Sequence, residues 1–490
     1  MIKKILIANR GEIARRIIRT AKEMGIRSVA IYSDADRQAL HRFDADESYE
    51  VGPAPSAQSY LNQKKVIEIA IESGCDAIHP GYGFLSENAA FAKKVEEANL
   101  IFIGPSPESI RLMGDKLAAK ELARQHGVPL LPGTPEPVQD VSEGKATATS
   151  IGYPVLLKAA GGGGGKGMRA VYSEKEFDAY FEMASSEAQQ SFGDPRVFIE
   201  KYLEAPKHIE IQIMGDQQGN IVHIFERDCS VQRRHQKVVE ESPGPTMTPP
   251  LRARMTEAAV RLAKACHYIG AGTVEFLVDS NQEFYFLEMN TRLQVEHPVT
   301  ECISGLDLVR WQIDVANGLP LPLAQNEIKM RGHSIQLRVY AEEWQNNFAP
   351  SMGRINYYKE PQHPQVRIDG AAFSGYEVPL YYDSMLAKLI VWGKDRREAI
   401  ANMLEAIKAY QILGIDTTLV LGLFVFSQEQ FIKGDYNTHF LKDHFHMDQW
   451  REELQPKARV ASYLAAYLHR DFLEKPQENL NSDSWRKARL

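Results

Sequence analysis

Apolar residues first cluster at Ile5-Leu-Ile-Ala8, a run of the length expected for a buried strand. Gly11 then opens a segment whose Ile13, Ile17, Ala21 and Met24 share one helical face, and Gly25 closes it. Three more apolar runs, Ser28–Tyr32, Ala77–Ile78 and Ile101–Ile103, alternate with helical stretches. That alternation predicts a wound parallel sheet up to about residue 112. No G-x-G-x-x-G follows the first strand, where Asn9-Arg10-Gly11 stands, so the dinucleotide reading is weak.

From Val128 to about Leu203 the pattern changes. A Pro-rich entry, VPLLPGTPEP, leads to a strand over Pro154–Ala159 and then to AGGGGGKGM, which together read as a small mobile lobe. Strand patterning at 209–213, 221–225, 271–278 and 283–288 predicts an α+β middle with antiparallel hairpins. Asp395 with Glu398 three residues on forms a capping box for a late helix. Its inward face is Ala399, Ile400, Met403 and Ile407, and Gly414 is its expected stop. Beyond about residue 450 the chain is polar, with one amphipathic stretch (Val460, Leu464, Leu468), and reads as a linker or tail.

A chain of 490 residues exceeds one core, and domains of roughly 100–200 residues suggest about three or four lobes. Acidic residues number 64 against 57 basic, a net charge of −7, which speaks against a nucleic-acid partner. Cys75, Cys229, Cys266 and Cys302 are scattered without CxxC spacing, the usage of reduced buried thiols. No apolar stretch approaches the ~20 residues of a membrane span, and the first apolar run is too short for a signal peptide. The expected compartment is the cytoplasm.

Five consecutive glycines, 161–165, bury nothing and cost conformational entropy, so a packing role explains them poorly. Bare backbone N–H groups beside Lys158 and Lys166 would suit a phosphate lid; a flexible linker is the alternative. The loop is not a P-loop, because Ala160 and Gly167 stand where that motif needs Gly and Ser or Thr.

A hairpin pairing Val278 with Glu283 would set Glu275 opposite Phe286 and diagonal to Glu288, ~7–8 Å away on one face. Two carboxylates with Asn290 nearby form an all-oxygen set suited to Mg²⁺ or Mn²⁺ on nucleotide phosphates. The alternative is a solvated acidic edge. In EMNTRLQVEHPVTE the residues Glu288, Asn290, Arg292, Gln294 and Glu296 share one parity, so an extended chain would line them on one face. With Glu288 and Asn290 assigned to metal, Arg292, Gln294 and Glu296 are left to face something small, planar and acidic.

These motifs, with HPGYGFLSEN (79–88), KAAGGGGGKGMR (158–169) and CSVQRRHQKVVEE (229–241), resemble biotin carboxylase, the ATP-grasp component of biotin-dependent carboxylases. The resemblance covers about residues 1–446. It implies a wound α/β domain over 1–113 and an ATP-grasp region over 114–310 whose lid is about 131–203. An α+β C-terminal domain over 311–446 and a tail over 447–490 would follow.

The implied reaction uses ATP with Mg²⁺ or Mn²⁺, two ions in all, to phosphorylate bicarbonate. The carboxyphosphate then carboxylates biotin held on a carrier, and the α-type subunits of acyl-CoA carboxylases are the nearest variety. Carried over residue by residue, Lys116, Lys158, Glu200, Lys201, Leu203, His208, Gln232 and His235 would surround ATP, and Gly161, Gly162, Gly163, Gly164 and Gly165 would cover its phosphates. Glu275, Glu288 and Asn290 match the metal ligands; Arg292, Gln294 and Val295 match the bicarbonate pocket, with Glu296 as base. Lys237 would meet the transferring phosphoryl, Arg338 the biotin oxyanion, and Tyr82 would lie near biotin.

A fork donor beside a base is also what bicarbonate chemistry needs, and an oxyanion on the ureido ring calls for a fixed cation. Lys166 stands where some relatives have Arg, Gln336-Leu337 replaces a more acidic pattern, and SPGPTMTPP (242–250) departs from the family wording. No lysine lies between two methionines, so the expected partners are a biotin carrier held elsewhere and a carboxyltransferase, with a homodimer through the first helix (Arg16, Arg19, Glu23). Two other classes remain open: a different ATP-grasp ligase, and a silent nucleotide-binding regulator.

Overall fold

The computed structural model describes residues 1–134, 136–138, 140–159, 168–456, 460–461 and 464. The chain divides into a unit Met1–Asp443 and a C-terminal unit His444–Leu490. In the latter, residues 447–456 are helical and Val460 and Leu464 are exposed, while Leu468 lies outside the described residues.

The first unit begins with a five-stranded parallel sheet. Lys4–Ile7 lies at its centre, between Arg27–Ser33 and Ala77–His79, with Glu47–Gly52 and Ile101–Phe102 at the edges. Sequence pattern misses Glu47–Gly52 because this edge strand buries only Val51. The helix Gly11–Glu23 packs Ile13, Ala14, Ile17 and Ala21 into the core as its periodicity predicts.

A small lobe follows, with three antiparallel strands in the order Met168–Val171, Val155–Ala159, Val197–Lys201. Its helices Val141–Ile151 and Glu174–Phe192 close a separate core around Phe177, Phe181, Val155, Leu157 and Ile199. Glycines 161–165 and Lys166 lie outside the described residues.

The rest is built on one eight-stranded antiparallel sheet. Its strands run Phe284–Asn290, Gly270–Val278, Lys207–Gly215, Ile221–Arg233, Gln236–Ser242, His333–Tyr340, Met385–Gly393 and Val366–Gly370. The joint between Gln236–Ser242 and His333–Tyr340, with Val239 opposite Leu337, carries this sheet across the interval 310–333 without a break. Buried Glu241 staples that joint: it accepts from His333 Nε2 (2.6 Å), Arg396 Nε and Nη2 (2.7 and 2.9 Å) and the Tyr436 hydroxyl.

Two expectations are corrected here. The hairpin loop holds five residues, so Val278 pairs with Phe284. Asp279 sets that length, because its amide donates to Glu283 O and its carboxylate accepts from Asn281 N and Glu283 N (each 2.9 Å). Leu287 is then an extra residue in a bulge, and Glu275 comes directly opposite Glu288 instead of diagonal to it. Gly414 does not stop the late helix, which ends at Ala409; a strand Gln411–Leu413 intervenes. Gly414 takes φ 105°, and a Cβ there would meet Arg354 O at 2.4 Å. Asp395 does cap the helix, accepting from Glu398 N (2.9 Å).

Candidate functional site

Register places Glu288, Glu275, Glu210 and Arg227 opposite one another across four neighbouring strands. A row of three acids in a largely buried sheet is unfavourable unless cations answer it. Arg227 answers from one end, fully buried and bound to Glu210, Gln212 Oε1 (2.7 Å), Thr300 Oγ1 (3.0 Å) and Thr273 Oγ1 (3.0 Å). Lys237 answers from above: Nζ donates to Glu210 Oε2 (2.6 Å), Glu275 Oε1 (2.9 Å) and Glu296 Oε1 (2.7 Å).

The expected single extended face from 288 to 296 ends at Asn290, where the strand stops. Glu296 instead sits at the N-terminus of the helix His297–Ser304. The turn still returns these side chains to one cluster. Arg292 donates from Nε to Glu87 Oε2 (2.6 Å), from Nη1 to Gln294 Oε1 (3.0 Å) and from Nη2 to Asn290 Oδ1 (2.9 Å). Gln294 Nε2 reaches Glu275 Oε1 (3.3 Å), and the half-buried Val295 separates Gln294 from Glu296 in the turn.

Arg338 donates from Nε to Glu240 Oε1 (2.5 Å) and from Nη2 to Glu296 Oε2 (2.9 Å). Burial pushes Glu296 toward the acid form, but Lys237, then Arg338 and Arg227, outweigh it and hold the carboxyl below its usual range. Glu240 goes the other way: burial raises its carboxyl despite the pull of Arg338.

His208 Nδ1 accepts from Gln232 Nε2 (2.8 Å), which leaves the proton on Nε2 facing Glu275 Oε2 (2.7 Å). Glu275 and Glu288 face each other and Asn290 adds an amide, an all-oxygen set that suits Mg²⁺ or Mn²⁺. Burial and the Glu275 charge raise the Glu288 carboxyl, so the position is short of positive charge. In the lobe, Glu200 is held by Lys158 and also by Lys120, a residue the sequence did not single out.

Not every expected residue points into the cluster. Lys201 Nζ donates to Gly152 O (2.9 Å) and Tyr153 O (3.0 Å), the lobe's own backbone. His235 lies exposed at a hairpin tip with φ 67°, and Leu203 is half-buried in the link after the lobe. Lys116, exposed at the start of the helix Lys116–Gln125, is by contrast near enough for its charge to act on Glu288. Tyr82 lies 5.8 Å from Lys388 Nζ, measured to the ring centre, in a loop that Asn9 Nδ2 ties through Pro80 O and Tyr82 O (2.8 and 2.7 Å). The variant loop after Ser242 works structurally: Thr248 caps the helix Pro249–Ala265, and Ser242 Oγ donates to Glu226 O (2.5 Å).

A wound N-terminal sheet, a separate lobe and a carboxylate row on an antiparallel sheet together define an ATP-grasp ligase. Family models agree along the chain. Residues 1–110 match the N-terminal domain of biotin carboxylase, 115–324 the ATP-binding domain of carbamoyl-phosphate synthase L chain, and 336–443 the C-terminal domain of biotin carboxylase.

The chain is 51% identical to biotin carboxylase 1 of Bacillus subtilis, covering 90% of this chain and 98% of that one. It is 50% identical to the methylcrotonoyl-CoA carboxylase subunit alpha of Glycine max, covering 92% of this chain and 61% of that longer one. Among solved structures it is similar to the biotin carboxylase domain dimer of Hydrogenobacter thermophilus 2-oxoglutarate carboxylase, in complex with MgADP, ADP and bicarbonate. There the TM-score is 0.85 at 46% identity, over 91% of this chain and 98% of that one. The chain belongs to the biotin carboxylase family.

Proposed function

We propose that this chain carboxylates biotin on a carrier, using MgATP and bicarbonate, as the first half-reaction of a biotin-dependent carboxylase. The observation that carries the reading is Glu296, gripped by Lys237 on one oxygen and Arg338 on the other, with the Arg292–Gln294 pair in the same cluster.

In this reading Arg292 and Gln294 orient bicarbonate and Glu296 takes its proton. The bicarbonate oxygen attacks the γ-phosphorus, the bond to ADP breaks, and Lys237 neutralises charge on the transferring group. Carboxyphosphate then yields CO₂ and phosphate. Arg338 stabilises the ureido oxyanion as biotin N1′ gives its proton to the released phosphate and bonds to CO₂. Glu275, Glu288 and Asn290 would hold Mg²⁺ or Mn²⁺, which would supply positive charge against the nucleotide phosphates. Lys158, Glu200, Leu203, His208 and Gln232 would position the nucleotide, with the lobe as lid.

A resting Glu296 held by two cations is a poor base. Phosphate drawing Lys237 away and biotin drawing Arg338 away would each raise its affinity for the proton, so base strength would arrive with the substrates.

The partners in this reading are a biotinylated carrier, a carboxyltransferase and a second copy of the chain. Among the described residues all four cysteines are free thiols and no helix is long and apolar enough to cross a membrane. Free thiols support the cytoplasm as compartment. Likeness to both a methylcrotonoyl-CoA carboxylase subunit alpha and a 2-oxoglutarate carboxylase domain leaves the choice of final acceptor to the carboxyltransferase. The test is ADP release from MgATP with free biotin, with and without bicarbonate. A rate that needs both substrates supports the reading, and one indifferent to both overturns it.

A further inference from the structure

Resting on that reading, the inference concerns what the carrier touches. Biotin reaches this site at the end of a lysine arm, so the carrier's own surface must come to rest on the rim of the biotin pocket. The fold shows where that rim lies. Tyr82 lies near Lys388, which pairs directly opposite Arg338 on the neighbouring strand. Two residues beyond Tyr82, Phe84 packs against Tyr60 (5.1 Å between ring centres) and against Tyr382 (6.4 Å).

Tyr382 is a fixed post. Its hydroxyl bonds Ser33 Oγ and Ala54 O (each 2.5 Å), and Arg10, itself bound to Asp36, lies 4.2 Å from the ring centre. On the other side Val378 is buried. Between these anchors the chain turns outward and presents Leu380, 77% exposed, and Tyr381, 56% exposed. Two large apolar side chains held out from a loop pinned at both ends are left uncovered by the described residues. Tyr381 stays 6.5 Å from the Tyr382 ring, so the patch is continuous with the aromatic wall leading to Tyr82.

We propose that Leu380 and Tyr381 form the docking patch for the biotinylated carrier. A protruding aromatic beside an aliphatic residue is the kind of anchor that dominates a small interface, and its position sets the carrier so that the arm enters past Tyr82. A second copy of the chain seated there would cover the mouth of the pocket and exclude the carrier, which argues against self-association through this patch. Free biotin has no surface to rest on the patch and does not sense it.

The experiment compares Leu380→Ser with Tyr381→Ser, combined in the full chain, against the unaltered protein. Substrates are free biotin and a purified biotinylated carrier domain of a biotin-dependent carboxylase. The expected result is a fall of about 10-fold or more in kcat/KM for the carrier, chiefly through KM, with free biotin within about 2-fold. Leu380→Met with Tyr381→Phe restores most of the carrier rate. Equal losses on both substrates overturn the proposal in favour of a role in the pocket. Unchanged carrier kinetics also overturn it, and if light scattering then shows a smaller oligomer the patch belongs to a second copy. Failure of the unaltered protein to turn over free biotin with bicarbonate overturns the underlying reading instead.

Discussion

Lys237 Nζ and Glu296 Oε1 lie 2.7 Å apart, and the same ammonium also holds Glu210 and Glu275. One side chain thus links the carboxylate row to the residue at the head of the helix His297–Ser304. Burial lowers the lysine's proton affinity, but Glu210, Glu275 and Glu296 more than reverse that, so Lys237 stays charged.

Glu296→Ala removes the base and leaves the metal and nucleotide residues in place. Bicarbonate-dependent ADP release should fall by about 100-fold or more, while ATP affinity by calorimetry changes little. Loss of ATP binding to the same degree would remove Glu296 from the role of base.

Arg338→Ala should depress carboxybiotin formation more than bicarbonate-dependent ATP cleavage, since Arg338 meets Glu296 only through one guanidinium nitrogen. Product formation should drop about 100-fold relative to ADP release. Measuring both products in one assay decides it, and an equal fall in each contradicts the oxyanion role.

Glu288→Lys puts an ammonium where the Glu275 charge faces across the hairpin. Turnover with Mg²⁺ or Mn²⁺ should vanish, and chelation of the unaltered protein should give the same loss. The folded state should survive with a melting temperature at or above the original, because the position lacks positive charge. Retained metal-dependent activity would exclude Glu288 as a ligand.

Burial raises Glu241, but His333 and Arg396 outweigh it and bring its carboxyl from 4.5 down to about 2. A depressed carboxyl stabilises the fold above the unfolded value and loses that contribution as pH falls from about 4.5 to about 2. The shift corresponds to about 3 kcal/mol. Glu241→Gln should therefore lower stability near neutral pH and flatten the acid limb of a stability curve measured by urea unfolding. An unchanged acid limb would mean that other groups carry it.

Much of this was legible beforehand where spacing is local. The first helix, the late capping box and the clustering of Arg292, Gln294 and Glu296 all depend on neighbours a few residues apart. The bulge at Leu287 was not legible, because a side chain–backbone turn at Asp279 fixes the loop length. Nor were the long-range partners. Glu87 lies within HPGYGFLSEN, yet its bond to Arg292 spans 205 residues, and Arg338 meets Glu240 across 98. Glu210 does carry a local signal: in IEIQI, polar residues alternate along a strand buried on both faces. Buried polar positions of that kind need partners, and here the partners are Arg227 and Lys237.

Gln236–Ser242 and His333–Tyr340 are bonded edge to edge, so Lys237 and Arg338 ride on adjacent rails of one plate. No hinge can open between them without breaking that ladder. On the proposed chemistry, the place where carboxyphosphate forms and the place where its CO₂ is captured keep a fixed spacing throughout the cycle. The lobe and the carrier can come and go on either side, but the gap that a short-lived molecule must cross is set by strand geometry alone.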